Sequence, residues 1–238
     1  MRTAQEIIRD VRVTQSPNGV CYAAVGEVTL PSAELERMVR AVPSLVAGAL
    51  GRKAFYFVPL AAGDGDKTMI AERFDTGFAS QAACHRDVES GDSQCVFIST
   101  RLLDDRFSVA FEFYIHIAHT FVEKAGISPE FAELAWSQAT SDVRGETSLE
   151  AFQSRQQAMS SGARADEKAK SDYLNAAFSD AIAIYLLSLC LDVDYYDLRE
   201  REYPLLAPSA LAERLRKIAG LFPPDTGFQF SIIYRRRA

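Results

Sequence analysis

Between Phe107 and Glu123 the chain reads FSVAFEFYIHIAHTFVE, an apolar stretch broken by a few side chains that can do chemistry. Glu112, His116, His119 and Glu123 recur at intervals of four, three and four residues. At 3.6 residues per turn that spacing lays them along one stripe of a helix. Imidazole and carboxylate are the side chains that bind divalent metals and move protons near neutral pH. His116 and His119 stand close enough on a helix to share one ion. Asp180, on a second apolar stretch, is the candidate third ligand. Glu112 and Glu123 lie a turn to either side of the histidines. They are the candidate catalytic groups, as general base or as carboxylates that orient a ligand. The same residues also satisfy a metal-free reading. Buried histidines need acceptors, and Asp172, Asn175 and Asp180 supply them in a hydrogen-bonded cluster.

Two apolar helices must position this stripe. Helical patterning covers 107–125 and 171–191, and Gly126 is a suitable C-cap for the first. Before residue 101 the period is two. Asp10 to Leu30 reads as a β-hairpin turning at Asn18-Gly19. FYFVPL (55–60) reads as a central strand and QCVFIST (94–100) as a strand, and further strands are expected within 68–75 and 80–86. Ser32 is the expected cap of a helix ending at Pro43. Ser128-Pro129 opens a helix carrying the single tryptophan, Trp136, and Thr147 to Glu150 fits a capping box. A helix over 208–221 ends at Pro223-Pro224, with Leu211, Leu215 and Ile218 inward. FQFSIIY (228–234) reads as a last strand returning to the N-terminal sheet.

The 238 residues carry a net charge of −6, 48% hydrophobic and 24% charged. An acidic balance argues against nucleic acid or an anionic membrane as main partner. Arg2, Glu6, Arg9 and Asp10 interrupt the region where a secretion signal would lie, and the run Ala181–Leu191 is too short to span a bilayer. A cytoplasmic location is therefore expected. Cys21, Cys84, Cys95 and Cys190 lack CxxC pairing, so they read as free thiols. Cys84-His85 with Cys95 is a conceivable metal set, but a plain hairpin is the expectation because the spacing matches no closed zinc site.

A sheet-rich first half, then a histidine-bearing helix, then a helix with an acidic residue in the setting Phe178-Ser179-Asp180-Ala181, resembles the zincin metallopeptidases of the minimal zincin type. The resemblance covers about residues 94–206. It implies zinc as the cofactor, a peptide or protein as partner and, if the chain is active, metal-dependent hydrolysis. The family's HExxH motif is degenerate here. Placing His119 as the second histidine puts Ile115 at the first and His116 at the glutamate. Placing His116 as the first puts Ile117 at the glutamate and Thr120 at the second histidine. Either register lacks the catalytic glutamate, so the resemblance implies a zincin-like protein without competent peptidase chemistry. The alternative is a non-catalytic structural or interaction domain around a polar cluster.

The expected fold is α+β, one compact domain over 1–238. An N-terminal, mostly antiparallel sheet (1–105) precedes a helical half (106–227) and a C-terminal strand (228–235). The segment 141–170 has few large apolar residues and reads as a mobile cover over the site.

Overall fold

The computed structural model describes residues 1–103, 105–160, 166–198 and 202–231. The fold is α+β. The chain divides into two compact units, Met1–Phe113 and Tyr114–Ala238, and the division falls inside one continuous helix.

The first unit holds two sheets. β1 (Arg2–Thr3) leads into α1 (Ala4–Asp10), which a capping box closes: Glu6 N–H donates to Thr3 Oγ1, and Thr3 N–H to the Glu6 carboxylate. β2 (Thr14–Gln15) and β3 (Cys21–Ala24) form the expected hairpin. Its Asn18 amide donates to the carbonyls of Val39 and Val42 at 2.8 Å, fixing the turn against the end of α2 (Ser32–Arg40). Pro31, rather than Ser32, is the N-cap of α2. A short α3 (Ser44–Ala47) follows Pro43. Next come β4 (Lys53–Val58), β5 (Leu60–Ala62), β6 (Met69–Ala71), α4 (Thr76–Ala79), β7 (Ala82–Ala83), β8 (His85–Ser90), β9 (Ser93–Ser99) and α5 (Thr100–Leu103).

One sheet has the order β1-β6-β5-β7 and is antiparallel throughout. The other has the order β2-β3-β4-β9-β8. Its edges are antiparallel and its centre, β3-β4-β9, is parallel. The apolar run expected as a central strand and the strand expected at 94–100 are two of these parallel strands: Phe55–Val58 and Cys95–Ser99 are buried on both faces. One face carries Tyr56, stacked on Phe97 at 4.8 Å, with Ala23, Val88 and Cys95, and α1 covers it through Ala4 and Ile7. The opposite face carries Phe55 and Phe57, and the ring of Phe113 on α6 (Arg106–Ala125) packs on both, at 4.8 and 5.5 Å. Cys95 stands opposite Val88, not Cys84, and all four cysteines are free.

The second unit is helical. The last part of α6 ends at Ala125, where Gly126 in the left-handed region caps it as expected. Then follow α7 (Pro129–Thr140), α8 (Leu149–Ser160), α9 (Glu167–Cys190) and α10 (Pro208–Leu221). α9 is buried almost all round, and Phe178 sits at the centre of a ring cluster with Phe121, Phe131 and Phe222. Among the described residues α9 alone is long and apolar enough to cross a membrane, but that stretch is 83% buried within the protein, as befits a core helix.

The expected cover over 141–170 differs from what is observed. Glu146 and Thr147 are buried, α8 packs along α9, and residues 167–170 are already helical; residues 161–165 lie outside the described residues. What the segment lacks in apolar anchors it has in polar ones. Arg214 Nη1 donates to Glu146 Oε2 at 2.8 Å, Tyr173 donates to Glu146 Oε1 at 3.0 Å, and Arg155 ties Glu146 to the carbonyls of Val143 and Gly145. The expected capping box also moves by one residue. Ser148 caps α8 through Ala151 N–H, which frees the Thr147 hydroxyl for Asp180. Residues 228–231 form no strand, and the rest of the expected C-terminal strand lies outside the described residues.

Candidate metal centre

Strand register decides which side of β8 faces α6. In the second sheet His85 pairs with Ile98 and Ile98 with Phe57, while Asp87 pairs with Val96 and Val96 with Phe55. Paired residues share a face. His85 and Asp87 therefore project to the Phe55/Phe57 side, the side covered by Phe113. Glu112 precedes Phe113 by one residue, which turns it about 100° around the helix, off the packed face and toward the β8 edge.

There the two side chains meet. His85 Nδ1 lies 2.6 Å from Glu112 Oε1. On its other side, His85 Nε2 is 4.0 Å from Asp87 Oδ2. The side chain of Glu112 is 18% exposed and that of His85 41%. The hydrogen bond to Glu112 raises the His85 pKa above its ordinary value; burial opposes the shift and the charges of Glu112 and Asp87 add to it.

α6 continues unbroken past Phe113 and carries His116 one turn beyond Glu112. Its Nε2 is buried. The ligand atoms of His85, Glu112 and His116 all lie within 4.8 Å of one another, and the three residues form a group that could hold a metal ion. Thr120 donates to the His116 carbonyl at 2.8 Å, a local bond within the helix.

The other expected site residues fall elsewhere. His119 and Glu123 are exposed. Three residues past His116, His119 is rotated about 60° from it around the helix, enough to leave the shared direction. Asp180 is buried in the second unit and accepts from Thr147 Oγ1 at 2.8 Å. None of the three belongs to the group formed by His85, Glu112 and His116. Cys84 adjoins His85 in the chain; burial first and the nearby Glu112 charge second push its thiol pKa up.

The stripe on α6 thus held two of the three members, and His85 was the residue missed. Its signal was present in Cys84-His85, read with Cys95. The register instead puts Cys95 with Val88 and Tyr56, on the face away from His85.

No protein-family model matches this chain, and no curated protein matches it either.

Proposed function

We propose that the corner between β8 and α6 binds a divalent metal ion, with His85, Glu112 and His116 as ligands. The observation that carries this reading is the convergence of two imidazoles and one carboxylate within 4.8 Å. That donor set suits zinc, at bond lengths of about 2.0–2.2 Å. Three protein ligands leave a fourth position for water or for the carbonyl of a bound peptide. A zinc ion held by these residues would supply Lewis-acid chemistry, making a water bound to it more acidic than in bulk. This ligand set differs from the one implied by the zincin resemblance, since a strand supplies one histidine and a helix supplies the other with the carboxylate. Glu123 is exposed and outside the group, and no second carboxylate of the HExxH kind stands on α6 beside the histidine. The proposal is therefore a metal-binding protein of zincin-like layout, without assigned peptidase activity.

A second reading is favoured by one distance. At 2.6 Å, His85 and Glu112 already satisfy each other as a charge-assisted hydrogen bond. In that case the pair is a metal-free latch between strand and helix in a structural or interaction domain.

Metal content of protein purified without an immobilised-metal column separates the two. The metal reading expects about one zinc per chain, lost in His85→Ala and His116→Ala and kept in His119→Ala and Glu123→Gln. Chelator then lowers the Tm of wild type and leaves that of His85→Ala unchanged. Protein that neither retains nor takes up zinc, with a Tm indifferent to chelator while His85→Ala still destabilises, rejects the metal site and leaves the latch.

A further inference from the structure

We propose that α8 opens locally from α9 in a proton-linked way, released when Asp180 ionises. Asp180 is 6% exposed and lies on the most deeply buried helix of its unit. Its hydrogen-bond partners are hydroxyls: Thr147 Oγ1 at 2.8 Å and the side chain of Ser148. Both sit in the leader of α8. Among the described residues no lysine, arginine or histidine forms an ion pair with it. The charged groups turned toward it from that leader and from α8 are Glu146 and Glu150, both acidic. α10 contributes Arg214 and α8 contributes Arg155, but each is directed at Glu146. α7 contributes the neutral Gln138, which accepts from Arg214.

A carboxylate so placed favours its neutral form. Burial, against the two hydroxyl bonds, lifts its pKa from 3.8 to about 6. Separating α8 from α9 admits water and removes that penalty. By linkage, the open state gains on the closed one as pH rises from the ordinary carboxylate value toward 6, then levels off. The sign follows from a folded pKa above the unfolded one: the contribution to closure is complete at low pH and lost as pH rises through the folded value. The remaining anchors bound the motion. The Tyr203 hydroxyl donates to the Thr147 carbonyl at 3.1 Å and Glu146 stays clamped by Arg214, so the leader is held, while the contact of the Phe152 ring with Tyr203 is one that opening of α8 gives up. The opening therefore belongs to α8 and not to the whole unit.

Amide hydrogen exchange, corrected for the intrinsic effect of pH on exchange, reads this directly. With values of 3.8 and about 6, the opening constant of α8 amides in wild type rises roughly 25-fold between about pH 4.5 and 7.5. Amides of α10 stay flat and serve as the internal reference. Asp180→Asn keeps an acceptor for Thr147 and cannot ionise, so its α8 amides show no such rise. Should that variant fail to fold, the wild-type comparison of α8 with α10 still decides. A flat α8, a rise shared equally by α8 and α10, or an unchanged rise in Asp180→Asn each overturns the proposal.

Discussion

Arg214 and Glu146 face each other at 2.8 Å with both side chains entirely shielded from solvent. The guanidinium also donates to Gln138 Oε1 and to the Tyr173 hydroxyl, and the carboxylate also receives Tyr173 and Arg155. An isolated buried charge costs several kcal/mol, and here each charge is matched and its hydrogen bonds are met. Removing one partner strands the other. Arg214→Ala and Glu146→Ala are each expected to cost about 3–5 kcal/mol. The check is urea unfolding of both single variants and the double variant. The double should cost clearly less than the sum of the singles, because both break one network.

His85 should titrate above the ordinary histidine value in metal-free protein, because its hydrogen bond to Glu112 favours the imidazolium. A raised folded pKa means that the pair stabilises the fold fully below about pH 6.5, and that this support fades as pH rises through the folded value. An NMR titration of the ring protons should show the His85 value falling in Glu112→Gln. If His85 titrates identically in both proteins, the hydrogen bond is not what holds its proton.

Gly145 is the expected weak point of the α8 leader. Its φ is +83°, and a Cβ added there would lie 2.2 Å from the Leu205 carbonyl oxygen. The close approach exists because Glu146 bridges to the chain at Leu205, with Leu206 N–H donating to the Glu146 carbonyl at 2.9 Å. Gly145→Ala must push two backbones apart as well as strain φ. Gly19, at φ +95° with open space around it, bears only the strain. Gly19→Ala should cost about 1–2 kcal/mol and Gly145→Ala clearly more. Thermal unfolding of the two variants gives the comparison directly.

Much of this fold was legible in the amino-acid order because several elements carry their own signal. α6 and α9 are apolar beyond what a surface helix tolerates, Asn18-Gly19 marks the hairpin, and FYFV and QCVFIS are short runs rich in aromatic and β-branched residues, as strands are. Which strands those two join is not a local property. Their parallel pairing rests on contacts between segments far apart in sequence, so it could not be read from either run. The same limit hid His85. On β8 both faces carry polar residues, and only pairing with Ile98 reveals which one meets α6. Glu146 was obscured differently, since an acid in a polar segment reads as solvated. Arg214 did leave a trace: it lies three residues after Leu211 and four before Ile218, on the inward stripe of α10, where a charge needs a partner.

The parallel centre of the second sheet also constrains how the first unit can form. β4 and β9 pair Lys53 with Gln94, about forty residues later, and only a closed loop of that length lets the register be made. Hairpins such as β2–β3 and β8–β9 join neighbours and can form early. The β4–β9 seam must wait for that long closure, and it buries the apolar runs once made. On a ribosome, the segment from Phe55 to Val58 is made after its partner β3 but well before β9. Until then the edge of β4 that β9 will take is an open, strand-prone hydrophobic tract, the kind of surface that chaperones hold and that other chains adhere to. A slow refolding phase and concentration-dependent losses during refolding would be the kinetic signature of that seam.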